Sequence, residues 1–383
     1  MMMKQLNEGS ILAHRRVMHI IETTGPGGAE SIFLAIVKGM VKKGYQSFPC
    51  IAGPGWVYNN LTELGMSPEI VRSDKKFDIA YLMRLISFAR MNNIDLIHSH
   101  LLGSNFYASL AGKILGIPVL ATFHGAVDKG AHQGRFIALK MFLIALCSAR
   151  VITVSHILKK ELCRNKLLFA KKWVVVHNGI DLAKFKGNYT SIRKKKKALG
   201  FREDHVVIGT IGNIRPAKGY KYLMESASLV RKDFANVKYL IVGEGKQEDM
   251  KGLVSLVQRL GLKDIVTFLG FRTDIAEILG SFDLFIIPSI SEGFSMATVE
   301  ALAAGVPVVA TRSGGPEEII THEKDGLLVP HRDPQALYNA TVRLLKDKDL
   351  AASLSSNGKE TANKFSLSHM LDNYENIYLE VMR

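Results

Sequence analysis

Short apolar runs in this chain alternate with segments whose apolar residues recur at helical spacing. Arg16 to Ile21 (RVMHII) is the first run; it stops at Glu22-Thr-Thr-Gly-Pro-Gly-Gly-Ala-Glu30, and a helical pattern follows through Val41. A strand, a glycine turn and a helix form the first half of a βαβ unit. Further strands are predicted at Gln46 to Ala52, Asp95 to Ser99, Pro118 to Phe123, Arg150 to Val154 and Trp173 to His177. A second alternation starts at His205 to Ile211 and continues through Val237 to Val242, Ile265 to Leu269, Leu284 to Pro288, Val306 to Ala310 and Gly326 to Val329. Repeated strand-helix order argues for parallel sheets covered on both faces, here an α/β chain of two domains, 1–187 and 188–365. The last stretch, Ser366 to Arg383, places Leu371, Tyr374, Ile377, Tyr378 and Val381 on one helical stripe, which must dock on something.

In such sheets ligands collect at the carboxyl ends of strands, so the residues just after each run carry the candidate chemistry. Ser291 to Thr311 (SEGFSMATVEALAAGVPVVAT) leads from a strand into an alanine-rich helix whose first amides favour a phosphate. Glu292 precedes that helix and Glu300 is expected about two turns along it, roughly 12 Å away at ~1.5 Å per residue, about the span of a sugar diphosphate. Two acids so spaced suit hydroxyl groups at the two ends of a nucleotide sugar, although acids are also common at helix starts for dipole reasons. Arg215 and Lys218, in Gly-Asn-Ile-Arg-Pro-Ala-Lys-Gly219, can neutralise a diphosphate, Arg by a planar fork and Lys as a point charge. Gly27 and Gly28 let backbone approach a ligand closely, as do Gly243 in Val-Gly-Glu-Gly245 and Gly314 and Gly315 in Ser-Gly-Gly-Pro-Glu-Glu318. Three histidines, His98, His100 and His124, fall at strand ends of the first half; His98 is read as structural, and His124, followed by Gly125, as the site candidate.

Charge changes the picture because it is unevenly placed. Residues 1–200 hold 29 Lys and Arg against 11 Asp and Glu, a net of +18, while the remainder is −3. A basic half can attract nucleic acid, an anionic membrane or a phosphorylated substrate. The run Arg193-Lys-Lys-Lys-Lys197 reads as a solvated linker or helix start, with a phosphate or headgroup patch as the alternative. Cys50, Cys147 and Cys163 are odd in number and widely spaced, which fits a reducing compartment without a disulfide framework or zinc site. The start MMMKQLNEGSILAHRR lacks a signal-like apolar core, and Phe136 to Ser155, broken by Lys140 and Arg150, reads as a buried helix, with a membrane-surface helix as the alternative. The expected location is cytoplasmic, peripheral on the inner membrane face.

The order Gly-Gly-Ala-Glu30, Asn-Gly-Ile-Asp181, Pro-Ala-Lys-Gly219, Val-Gly-Glu-Gly245 and Glu292-x7-Glu300 followed by Gly-Val-Pro-Val-Val-Ala-Thr311 resembles the family-4 retaining glycosyltransferases along nearly the whole chain. The resemblance implies the GT-B architecture of two facing Rossmann-like domains, with residues 366–383 crossing back to the first. It implies an acceptor-binding first half and a donor-binding second half, the donor being a nucleotide sugar, most often a UDP-sugar, with no other cofactor. Glu292 would contact donor-sugar hydroxyls, Glu300 the ribose, the amides of Gly293, Phe294, Ser295 and Met296 the distal phosphate, and Lys218 the diphosphate. Gly27 or Gly28 would approach the donor from the first domain. His124 would lie near the reacting carbon, and His100 and His124 would face the acceptor. Many members carry Arg directly after the glycine of the 212–219 loop, where this chain has Asn213; Arg215 would supply that charge.

The activity implied is metal-independent, retaining transfer of a hexose to a glycan or lipid-linked acceptor in cell-surface polysaccharide or lipopolysaccharide synthesis. A sugar-nucleotide epimerase of the same two-domain shape is the alternative. The absence of a Gly-x-Gly-x-x-Gly fingerprint argues against a carbonyl oxidoreductase. The first half has the charge of a nucleic-acid binder but no helix-turn-helix, zinc or aromatic-rich RNA motif.

Overall fold

The computed structural model describes residues 15–73, 77–125, 134–163, 167–185 and 196–383. Residues 1–14, the expected boundary at 187/188 and positions 193–195 of the basic run lie outside these. The chain divides into two compact units, one formed by residues up to Asn178 together with Leu367–Arg383, the other by Gly179–Ser366. The change of unit falls before the boundary expected from sequence because Ile180 already bonds to the far end of the second unit, its amide donating to Phe365 O at 2.9 Å.

In the first unit β1 (Arg16–Ile21), α1 (Gly28–Lys42), β2 (Gln46–Ile51), α2 (Trp56–Glu63), β3 (Glu69–Ile70), α3 (Ile79–Met91), β4 (Leu96–His100), α4 (Leu102–Leu115), β5 (Val119–Phe123), α5 (Gly134–Cys147), β6 (Arg150–Thr153), α6 (His156–Cys163) and β7 (Trp173–Val175) alternate. The sheet is ordered β3-β2-β1-β4-β5-β6-β7 and is parallel throughout. The second unit runs β8 (Val206–Ile211), α7 (Tyr220–Asp233), β9 (Val237–Val242), α8 (Gln247–Arg259), β10 (Val266–Gly270), α9 (Ile275–Leu279), β11 (Leu284–Ile287), α10 (Met296–Ala303), β12 (Val308–Thr311), α11 (Gly315–Ile319), β13 (Leu327–Val329), α12 (Pro334–Lys346) and α13 (Lys348–Ala362). Its parallel sheet is ordered β10-β9-β8-β11-β12-β13. Each sheet reverses its winding between its first and fourth strands, β1/β4 and β8/β11, the place where such folds open a crevice beyond the strand ends.

The strand positions follow from near-continuous Val, Ile and Leu runs that are buried on both faces. The two-residue β3 is exposed and has no apolar run to announce it, so sequence reading passes over it. The two units repeat one device. Asp95, just before β4, accepts the Arg16 amide at 2.8 Å, and Asp283, just before β11, accepts the Val207 amide at 2.7 Å. In the second unit Lys196 joins this contact. Its side chain is buried, 2.6 Å from the Asp283 carboxylate, so this member of the basic run is a structural ion pair and not a solvated linker residue.

The last helix, α14 (Leu367–Val381), belongs to the first unit. It buries Met370, Leu371, Tyr374, Ile377 and Tyr378, while Val381 stays partly exposed. Gly39 of α1 makes room for Leu371, since a Cβ there would come 2.4 Å from its side chain. Lys43 bonds Asp372 at 2.7 Å and Glu375 at 2.5 Å. The expectation of a buried helix at 136–155 needs correction. Only 134–147 is helical, and although Met141, Ile144 and Ala145 are buried, Phe136, Leu139, Phe142 and Leu146 form an exposed stripe.

Candidate active site

In the second unit the loop after β8 is built on glycines. Gly212 has φ +155 and Gly219 φ +67, and a Cβ on Gly219 would lie 2.0 Å from Pro288 O. Only glycine lets the β8 loop rest on the chain leaving β11. A Cβ on Gly243 would lie 2.2 Å from Gly212 O, so its close approach is to the neighbouring loop's backbone. Tyr220, at the start of α7, donates to Gly212 O at 2.6 Å and closes the turn. Asn213 is exposed on it.

This packing brings Lys218 to Glu292. Lys218 Nζ lies 2.6 Å from Glu292 Oε1, and Ser289 Oγ donates to the same oxygen at 2.6 Å. The Glu292 backbone is fixed as well, its amide donating to Ser313 O at 2.8 Å and its carbonyl accepting from Gly315 N at 3.0 Å. A Cβ on Gly315 would come 2.8 Å from Phe294 Cα, so this glycine lets the 292–295 segment lie flat on the next loop. Arg215 stands on the same β8 loop, and its buried Nε has no hydrogen-bond partner within the protein.

Ser295 is the N-cap of α10 but caps no backbone amide; its hydroxyl accepts from Thr298 Oγ1 at 2.8 Å. The helix start therefore keeps its anion-binding character. Phe294 is buried, its ring 5.5 Å from that of Phe365, so this residue and Gly293 could meet a ligand through backbone while the ring holds the loop down. Glu300 is the fifth residue of α10, just over one turn in, where two turns were expected; residues 292–295 are not helical, so the helical rise does not apply to them. Burial raises its carboxyl pKa to about 7, with Lys184 opposing the shift.

In the first unit Gly27 is the N-cap of α1 in extended conformation, close to the Glu30 carboxylate, and Gly28 is open to solvent. His98 is fully buried, its Nδ1 2.6 Å from Tyr378 Oη and its Nε2 2.9 Å from Thr122 Oγ1, which is the structural role read from sequence. His100 Nδ1 lies 2.9 Å from His124 Nε2 with the rings stacked. Burial lowers the pKa of His124 to about 4 and that of His100 well below the ordinary value, so both are neutral at neutral pH. His100 has no exposure. Asp-x-Asp spacing, which could hold a metal-bound diphosphate, occurs once, at Asp347-Lys348-Asp349. There Asp347 is the N-cap of α13, accepting from Leu350 N.

Lys218, Glu292 and Arg215 were legible as charges beside glycines. Ser289 and Tyr220, which fix their geometry, were not singled out, though Ser289 directly follows the strand-ending Pro288. Two parallel, doubly wound units with an anion-suited helix start at the second switch point define the GT-B class of glycosyltransferase fold. Among solved structures, HepE from Anabaena in complex with UDP-glucose shares this fold, with a TM-score of 0.87, 23% identity and coverage of 96% of this chain and all of that one. The profile of the family described as Glycosyl transferases group 1 matches residues 191–361, and that of Glycosyltransferase Family 4 matches residues 26–184. The chain belongs to this family of glycosyltransferases.

Two relatives are similar over most of their length. The Escherichia coli UDP-Gal:alpha-D-GlcNAc-diphosphoundecaprenol alpha-1,3-galactosyltransferase is 28% identical over 80% of this chain and 80% of its own length. The Bacillus anthracis N-acetyl-alpha-D-glucosaminyl L-malate synthase is 29% identical over the same shares. Neither is an epimerase, and the epimerase alternative is not favoured.

Proposed function

We propose that the chain moves a hexose from a UDP-sugar to a lipid-linked glycan, with retention of anomeric configuration and without a metal ion. The observation that carries this reading is the Lys218–Glu292 pair beside the unpartnered Arg215 Nε and the open start of α10. In this reading the diphosphate takes Lys218 and Arg215 as counter-charges together with the helix amides, which stabilises the negative charge that grows as the sugar C1–O bond breaks. Lys218 released from Glu292 frees that carboxylate to accept from sugar hydroxyls, and Glu300 accepts from the ribose. The acceptor oxygen bonds to C1 on the face the diphosphate leaves, and its proton passes to the departing phosphate oxygen. His124 contacts the substrate at the reacting carbon.

The acceptor class is supported by the name of the E. coli relative, which acts on a diphosphoundecaprenol-linked sugar. It is supported also by the +18 charge of residues 1–200 and the exposed apolar stripe of α5, features suited to an anionic membrane surface. No helix among the described residues is long and apolar enough to cross a membrane. The test is incubation with UDP-galactose, UDP-glucose, UDP-N-acetylglucosamine and UDP-N-acetylgalactosamine and a GlcNAc-diphosphoprenol acceptor, with and without EDTA. An α-linked product formed at equal rate in EDTA supports the reading; an inverted product, or transfer only with added metal, overturns it.

A further inference from the structure

The start of α4 is the counterpart, in the first unit, of the start of α10 in the second: each helix follows the strand that pairs with the first strand at the switch point. The α10 start is open, but the α4 start is filled. Its N-cap, Leu101, has φ +74 and gives no side-chain cap. Glu22, the residue directly after β1, caps the helix instead, its Oε1 accepting from Gly103 N at 3.0 Å. The Ser104 amide bonds to the same carboxylate. A Cβ on Gly103 would come 1.8 Å from Glu22 Oε2, so a glycine in the first turn lets the acid lie directly on the helix.

The residue in the same place after β8 is Gly212, which has no side chain to send to α10. The two switch points therefore differ by one carboxylate. Helix-start amides favour an anion, and an acid that already accepts from them supplies that anion from within the chain. A phosphate brought to the same amides would find them taken and meet a like charge. The surroundings offset the acid little. His100, which ends β4, and His124 are both neutral. Lys140 is near enough to favour the charged acid, yet its Nζ also lies over the Phe77 and Phe106 rings, 5.7 and 5.3 Å from their centroids. Burial of the carboxyl end raises the Glu22 pKa from its ordinary value, with both amides and Lys140 opposing the shift. What this place can still take is a hydroxyl: Glu22 keeps exposed surface, and a carboxylate has about four lone-pair sites, more than the two amides use.

We propose that Glu22 determines acceptor specificity: it fills the anion site of the first switch point, so that this crevice takes a neutral, hydroxyl-bearing ring of the acceptor and rejects a phosphate. The proposal rests on the transferase reading above for what that ring belongs to. Any phosphate the acceptor carries lies away from the α4 start, and the donor diphosphate is left to the second unit.

Inorganic phosphate, titrated at constant ionic strength into the isotope-labelled full chain, tests this through the amide resonances of Gly103 and Ser104 at mildly alkaline pH, where the acid is charged. In wild type both should stay unmoved at millimolar phosphate. In Glu22→Ala both should shift and saturate, with phosphate bound at least about tenfold tighter than in wild type, and Glu22→Gln, which keeps an amide acceptor without the charge, should fall between them. Resonances that respond equally in wild type and Glu22→Ala, or in neither, overturn the proposal. The titration needs no donor and no turnover, so it fails or succeeds separately from the transferase reading. In turnover with the GlcNAc-diphosphoprenol acceptor, Glu22→Gln should raise acceptor KM about fivefold and leave donor KM within about twofold, a split that a merely structural cap would not produce. An acceptor KM equal to that of wild type overturns the acceptor role. If Glu22→Ala does not fold, Glu22→Gln carries both measurements, and no gain of phosphate response at its Gly103 and Ser104 amides overturns the proposal.

Discussion

Lys218 Nζ and Glu292 Oε1 lie 2.6 Å apart although 74 positions separate them in sequence. Each is the other's neutralising charge in a site where the Glu292 side chain is almost entirely buried. Lys218→Ala is expected to lower transfer about 100-fold or more by removing a counter-charge of the leaving group. Glu292→Ala should do the same by removing a hydroxyl acceptor. Both variants should unfold within a few degrees of wild type by calorimetry, since Ser289 or solvent can meet the remaining partner. Undiminished steady-state turnover in both would remove the site assignment.

Glu300 has its pKa raised to about 7 by burial, above its ordinary 4.5. The folded chain thus holds a proton there that the unfolded chain has lost, and stability falls as pH rises from about 4.5 through about 7. Glu300→Gln should therefore unfold a few degrees above wild type at pH 8 and at the same temperature near pH 4, measured by thermal melts across that range. A gap independent of pH would contradict the shift.

Gly219→Ala places a Cβ against Pro288 O at a φ of +67. Backbone cannot yield as a flexible side chain would, so a cost of about 2–4 kcal/mol is expected together with loss of transfer, because the turn that presents Lys218 is the one displaced. Denaturant melts measure the first effect and initial rates the second.

Tyr378→Phe deletes the hydroxyl 2.6 Å from His98 Nδ1 in a fully buried setting. Leaving that nitrogen unsatisfied should cost about 1–3 kcal/mol. Chemical denaturation should report the loss, while the UDP-sugar KM stays near wild type because the contact lies in the first unit.

The exposed stripe Phe136, Leu139, Phe142 and Leu146 gives a surface test. Leu139→Glu with Phe142→Glu should abolish flotation with anionic vesicles at low salt and leave the melting temperature unchanged, since neither side chain is buried. Wild type that fails to float would end the membrane proposal.

Strand order and the glycine-rich ends were legible because parallel strands buried on both faces write themselves as apolar runs, and close backbone approaches as glycines. Lys218, Glu292 and Arg215 stood out beside those glycines. Three things did not. The ion pair between Lys218 and Glu292 depends on which strands are neighbours, which order along the chain does not state. The stripe on α5 escaped because a helix apolar on every side reads as buried whether or not another element covers it. Lys196 was taken for a solvated residue within a basic run, yet it is the one that seals Asp283.

Because the helix Leu367–Val381 fills the space against Gly39, His98 and Lys43, the amino-terminal half of the polypeptide lacks part of its own interior until that helix has been synthesised. Nascent chains halted anywhere before Leu367 carry an open apolar slot where Tyr374 and Tyr378 belong, a natural target for holdase chaperones during synthesis.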